Sequence, residues 1–171
     1  MPVKTPRETF LVLLSHVRQG TEKATTIDNE LSNLAEDPQI KEALDARAFV
    51  NQSVQAKIDQ CFKLLGEKPV QLSGHLQEIF MDDFRKEFNE IQSPTARRLF
   101  VLAKLVQLAH LRIGEYVALI AAADVAGHYG VGVLLESCLA EKLAIAERTR
   151  RLIQEMVETR VAERKSAERA A

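Results

Sequence analysis

The chain has 171 residues, with 23 basic against 24 acidic side chains and a formal charge of −1. That length suits one domain with a buried core, and the near balance of charge leaves no electrostatic footprint for nucleic acid or an anionic membrane. Aromatic residues make up 5% and Trp is absent, which argues against base-stacking platforms.

Helix breakers divide the chain into five helical pieces. In the first, Thr5 caps, Pro6 takes the first helical position and Glu8 completes a capping box. This helix is expected to run to about Glu36. Asp37-Pro38 opens the second by the same chemistry, and Gly66 ends it. A shorter amphipathic piece follows from Val70 to Ile91, with Leu72, Leu76, Ile79, Phe80, Phe84 and Phe88 along one side. Ser93-Pro94 opens the fourth helix, which stops at Gly127. The fifth starts near Gly130 and runs into a tail of alternating charge. Residues 1–160 read as a single bundle and residues 161–171 as a charged C-terminal tail that frays or projects into solvent. The glycine-rich stretch from Gly127 to Gly132 has no preceding strand and no following Lys, so it reads as a helix cap and turn.

Cys61 and Cys138 fall on different predicted helices, without a Cys-x-x-Cys pattern. They read as two buried free thiols in a reducing cytosol. The N-terminal stretch lacks the apolar core of a signal peptide. The most apolar run, Val117 to Ala126, is too short for a membrane span and is interrupted by Asp124. A cytoplasmic protein with neither nucleic acid nor membrane as partner is the expectation.

Connection lengths predict the topology. Four helices of about 27 to 35 residues would be roughly 40 to 50 Å long. Short links join the first to the second and the fourth to the fifth, and short links make antiparallel neighbours. The 27 residues from Glu67 to Ser93 instead carry the short helix. The fold class is therefore all-α: a ferritin-like four-helix bundle of two antiparallel hairpins, with a short helix in the crossover. Phe80, Phe84 and Phe88 lie on that crossover, where such a stripe covers a bundle end or meets another subunit. A homodimer is the expectation.

Spacings of four and three give each helix a core-facing seam. The first is Phe10, Leu14, Val17, Thr21, Ala24, Asp28, Leu31 and Ala35. The second is Ile40, Leu44, Arg47, Asn51, Val54, Ile58, Cys61 and Leu65. The fourth is Leu102, Leu105, Ala109, Arg112, Tyr116, Leu119 and Ala123. The fifth is Val131, Leu134, Cys138, Glu141, Ile145, Arg148 and Leu152. Each seam is apolar at its ends and polar in its middle. Together they predict a polar layer of Thr21, Arg47, Asn51, Arg112, Tyr116 and Glu141. Thr21 either faces that layer or bonds its own helix. Asp28 turns inward, or Ile27 does in its place. Arg47 and Arg148 are either buried or reach solvent along a groove. An unpaired Arg112 in the interior would be very costly, and Glu141 stands opposite it if the hairpin closes at Gly127 to Gly130.

Several stretches carry a resemblance: "FLVLLSH" near the start, "DPQIKEAL" and "KIDQCFKLLG" at the two ends of the second helix, "AHLRIGEYVALIAAADVAG" and "LLESCLAEK". Over nearly its whole length the chain resembles the YciE/YciF-type bacterial ferritin-like proteins. The resemblance implies a ferritin-like bundle, often dimeric and stress-associated, with a di-metal centre held by inward carboxylates and histidine. Few of the corresponding ligand positions match. Where the family has a Glu before a Lys on the first helix, this chain has Thr21 and Glu22. Its His-Leu-Glu-Glu-Thr becomes Arg47-Ala48-Phe49-Val50-Asn51, and its Glu-His-Tyr-Glu becomes Ala109-His110-Leu111-Arg112. A run of three Glu becomes Ala140-Glu141-Lys142. Only His110, Tyr116 and Glu141 match.

A di-metal bundle site uses about four carboxylates and usually a Glu-x-x-His pair, and this sequence contains no such pair. Arg112 then fills the space of a lost ligand and supplies positive charge in the metal's place, balanced by Glu141. The resulting expectation is a non-enzymatic, stress-associated helical protein with no catalytic residues and no cofactor. The alternative is an iron- or manganese-binding oxidase or storage-type protein with a rearranged site on Glu22, Asp28, His110, Glu115 and Glu141. A third reading is a small-ligand carrier with a pocket beside Tyr116.

Overall fold

The computed structural model describes residues 3–35, 37–72 and 75–170. These form five helices: α1 (Pro6–Leu34), α2 (Pro38–Leu65), α3 (His75–Glu90), α4 (Pro94–Val125) and α5 (Tyr129–Ala170). The first two N-termini are built as their sequences dictate. Thr5 Oγ1 accepts from the Glu8 N–H at 3.2 Å, and Glu8 reaches back to the Thr5 N–H at 3.0 Å. Asp37 accepts from the N–H groups of Gln39 and Ile40, and Ser93 caps α4 in the same way. The long helices therefore begin with their exposed donors satisfied.

Two glycines end helices in the left-handed region: Gly66 at φ 65° and Gly127 at φ 77°. At the second, the Gly127 N–H bonds to Asp124 O and the His128 N–H to Ala123 O at 2.8 Å. These are the paired bonds of a Schellman motif. The glycine-rich stretch is thus a cap and turn. α1 ends at Leu34, short of the expected Glu36, which lies outside the described residues. α3 occupies less than the expected Val70–Ile91, since the chain is non-helical from Glu67 to Leu72. Residues 161–170 of the tail stay helical as the end of α5, and residues 161–168 are exposed.

Four long helices lie side by side. α1 packs on α2 and α4, and α5 packs on α4 and α2, while α3 lies against α1 and α4. Cross-helix pairs fix the directions. Arg7 meets Glu67, Arg18 meets Asp59 and Arg47 meets Asp28, so α1 and α2 run antiparallel. Arg160, late in α5, donates to Thr95 at the start of α4. The turn at Gly127 brings the start of α5 back against Asp124.

Two apolar cores result. One joins Phe10, Leu14, Ile58, Cys61, Leu119, Leu135 and Cys138. The other joins Leu31, Ile40, Leu44, Phe84, Leu102, Leu105 and Met156. Each fully buried Leu or Phe in them contributes about 1.5–3 kcal/mol. The aromatic stripe of α3 belongs to the second core. Phe84 and Phe88 are buried, and the Phe84 ring lies 5.4 Å from that of Phe100 on α4. Phe84 and Phe88 of the stripe therefore pack into their own bundle, while Leu76 and Ile79 of the same helix stay exposed. α4 as a whole is long and apolar enough to cross a membrane by composition, a length that the run from Val117 to Ala126 does not reveal. Here one face of α4 supplies core residues to both clusters.

Candidate functional site

Between the two cores lies a layer of charged and polar side chains. Asp28, Thr21, Arg47, Asn51, Arg112 and Lys142 are all buried. On the α1–α2 side, Asp28 Oδ1 accepts from Arg47 Nε at 3.0 Å and Oδ2 from Asn51 Nδ2 at 2.8 Å. Asn51 Oδ1 in turn accepts a short bond from Lys142 Nζ on α5. Both readings of Thr21 hold together: its hydroxyl donates to Val17 O at 2.8 Å and accepts from Arg112 Nη2 at 3.1 Å. Arg112 Nη2 also donates to Val17 O at 2.8 Å, and Nη1 forms a close ion pair with Glu115 one turn along α4. Arg112 Nε, although buried, has no hydrogen-bond partner.

Burial dominates the electrostatics. It pushes the Asp28 carboxyl upward, against the opposing pull of Arg47. It raises Glu115 likewise, against Arg112 and His16. It raises the Tyr116 phenol, whose buried oxygen also lacks a bond of good geometry. Lys142 is pulled down from 10.5 to about 8, first by burial and then by the positive charges of Arg112 and Arg47. The two thiols are free, buried and unreactive, with burial pushing Cys61 up to about 12 and Cys138 to about 11.

The fifth-helix seam needs correction. Glu141 does not meet Arg112. It pairs with Lys57 on α2 and is partly exposed, while Arg148 sits at the surface on Glu42. The buried positions of α5 include Val131, Leu135, Cys138, Lys142, Ala146, Thr149 and Met156. The true seam departs from the expected one first at Leu135, buried in place of Leu134, and meets it at Cys138. It departs again at Lys142, where it steps by four and the expected seam by three. At 3.6 residues per turn the two choices differ by 100° of rotation. Lys142 was hidden by this, because a lysine among apolar neighbours reads as a surface residue.

The residues of a rearranged metal site do not converge. Glu22 is exposed beside Arg18, and His110 is exposed. Asp28 is held by Arg47 and Asn51, Glu115 by Arg112, and Glu141 by Lys57. Among the described residues no three His, Cys, Asp or Glu side chains are grouped as metal ligands. The donor set required by a carboxylate-bridged metal pair is thus not assembled, and its carboxylates are already committed to cations. Tyr116 lines neither of the two enclosed spaces beside the layer, which border Arg47 and Arg112.

Comparison with known proteins agrees with this architecture. The chain matches the family described as Domain of unknown function (DUF892) over residues 5–162, and it belongs to that family. It is similar in structure to the E. coli stress protein YciF, with TM-score 0.84 and 20% identity, covering 91% of this chain and 99% of that one. YcfI from Rhodopseudomonas palustris gives TM-score 0.82 and 22% identity, over 86% and 94% of the two chains. A protein from Xanthomonas campestris gives TM-score 0.66 and 20% identity, over 91% and 99%. No curated protein matches. The YciE/YciF-type resemblance of the sequence is thereby established, together with an all-helical fold of five helices.

Proposed function

We propose that this member of the family is a non-catalytic, stress-associated protein on a ferritin-like four-helix bundle whose central layer is held by its own cations in place of a metal pair. The observation that carries the reading is the burial of Arg47, Arg112 and Lys142 together. Three fixed positive charges oppose the entry of a divalent ion, and each available carboxylate already has a cationic partner. The bundle is then a scaffold that acts through its surfaces, in the cytoplasm, with no cofactor and no nucleic-acid or membrane partner. We also propose a homodimer. With the α3 aromatic stripe already covered, the support shifts to Leu76 and Ile79, which α3 exposes.

A second reading keeps an iron or manganese ion on a rearranged site. It draws on Oε2 of Glu141, which is buried without a hydrogen bond. Metal analysis separates the two readings. Protein loaded aerobically with Fe(II) or Mn(II) and then desalted should retain far less than one ion per chain by plasma mass spectrometry. Stoichiometric retention, lost in Glu141→Gln, would establish the second reading. Light scattering at micromolar concentration tests the assembly, and a monomer mass would remove the dimer.

A further inference from the structure

The charged layer encloses a cavity of about 20 Å³ whose polar walls are Arg47, Asn51, Arg112 and Lys142, the rest being two alanines and Ile145. A space of this size holds one water or one ion of similar radius. No carboxylate lines it. Asp28, the nearest fully buried acid, has both oxygens engaged by Arg47 and Asn51. The walls instead offer donors. Arg112 is more than nine-tenths buried and its Nε has no acceptor. Lys142 gives one N–H to Asn51, which leaves two of its three donors. Asn51 Oδ1, the one side-chain acceptor on the wall, already receives that bond.

A water in this space would find donors for both lone pairs but at most one side-chain acceptor, the second lone pair of Asn51 Oδ1, for its two hydrogens. A spherical ion that only accepts suits all the walls, and one negative charge offsets the excess of three buried cations over Asp28 and the partly buried Glu115. We propose that the cavity is a binding site for a single monatomic anion of chloride size. A second cavity of about 60 Å³ also touches Ala24, Arg47 and Arg112 and lies beneath Leu76 and Phe80 of α3. Outward motion of α3 would open a route from solvent through it. The site shares the cation-filled layer with the functional reading above, but its test is separate, because a retained metal refutes that reading whatever a halide does.

The 171-residue chain is melted in sodium chloride, sodium bromide and sodium gluconate at matched ionic strength. A bound halide should raise Tm saturably with its concentration, as selective binding to the folded state requires, and gluconate, too large to enter, should not. Lys142→Met should lose the halide-specific rise. Crystals soaked in bromide supply the second measurement, which does not depend on the variant folding. An anomalous peak among Arg47, Arg112 and Lys142 is expected. Equal Tm values in halide and gluconate, or a bromide map empty at that position, overturn the proposal.

Discussion

The two halves of the charged layer are built differently. On the α1–α2 side, Asp28, Arg47 and Asn51 form a closed set in which no buried polar atom of the three lacks a partner. On the α4–α5 side, Arg112 Nε, Tyr116 Oη and Glu141 Oε2 are all buried without a hydrogen bond, and Glu115 Oε2 has only its ion pair with Arg112 Nη1. One half is a satisfied network and the other has polar capacity left over. A satisfied buried network contributes most through what its loss leaves stranded, whereas an unsatisfied one already carries part of that cost. Equivalent truncations in the two halves should therefore differ in size.

The largest effect is expected from breaking the satisfied half. Asp28→Leu leaves Arg47 and Asn51 buried without their shared acceptor and increases the local positive charge. The loss should be about 3–5 kcal/mol in urea melts. Arg47→Met should also be damaging, since it leaves Asp28 with Asn51 alone and a pKa already raised by burial. The double variant should lose clearly less than the sum of the two, because neither charge is then left behind. Additive losses would mean that the pair is not coupled and that the two halves do not differ in the way described.

Next in size is a pH effect on Lys142, which joins the halves through Asn51. Its folded pKa is about 8 against 10.5 unfolded. Below pH 8 both states are protonated and the full cost of burying the charge is present. Between about pH 8 and 10.5 the unfolded chain binds more protons than the folded one, so stability rises with pH. Above that range both are neutral and the cost is gone. The rise is on the order of 3 kcal/mol, and it should disappear in Lys142→Met. A wild-type stability that falls throughout this window would contradict the placement of Lys142.

Legibility in the sequence follows how firmly each helix is bounded, not the division between the two halves. The seam of α4 was readable in full: Leu102, Leu105, Ala109, Arg112, Tyr116, Leu119 and Ala123 are all buried. Its capping serine and terminal glycine fix both ends, so the phase of the pattern cannot drift far between them. α2 is bounded in the same way by Asp37 and Gly66, and its polar members Arg47 and Asn51 were also found. α5 runs for 42 residues with an exposed, charged C-terminal end that sets no phase. Its expected seam lies one residue short of the buried positions Leu135, Lys142, Ala146 and Thr149, so that Glu141 stands where Lys142 is buried. Asp28 could be assigned only as an alternative to Ile27, because both neighbours are buried and periodicity alone does not choose between them. The partner of Arg112 was not legible either. It lies on the same helix, three residues on at Glu115, where charge spacing suggests a solvated surface pair.

In the unsatisfied half, Arg112→Met should have a smaller effect than Asp28→Leu. The change removes the bonds to Val17 O and Thr21 Oγ1 and the pair with Glu115. Glu115 keeps a quarter of its exposure, however, and the change also removes a buried donor that has no acceptor and lowers the excess of positive charge. The net loss should be about 1–2 kcal/mol. A loss as large as that of Asp28→Leu would show that the orphaned donor is satisfied in solution.

The smallest effect is expected at Glu141, and it sharpens the comparison by what it does not do. Glu141 pairs with Lys57, and both side chains keep about a quarter or more of their exposure, at 29% and 26%. Solvent screens such a pair, so Glu141→Leu should cost roughly 0–1 kcal/mol. If Arg112 and Glu141 faced each other in the interior, each single change would be damaging and the double variant would recover. The structure places Arg112 on Glu115, Thr21 and Val17 instead. A double-mutant cycle on Arg112→Met and Glu141→Leu should therefore return a coupling energy within about 0.5 kcal/mol of zero. The parallel cycle on Asp28 and Arg47 should return several times that. A strong Arg112–Glu141 coupling would require α5 to rotate by about one residue, carrying Lys142 out of the layer and closing the half that is open here.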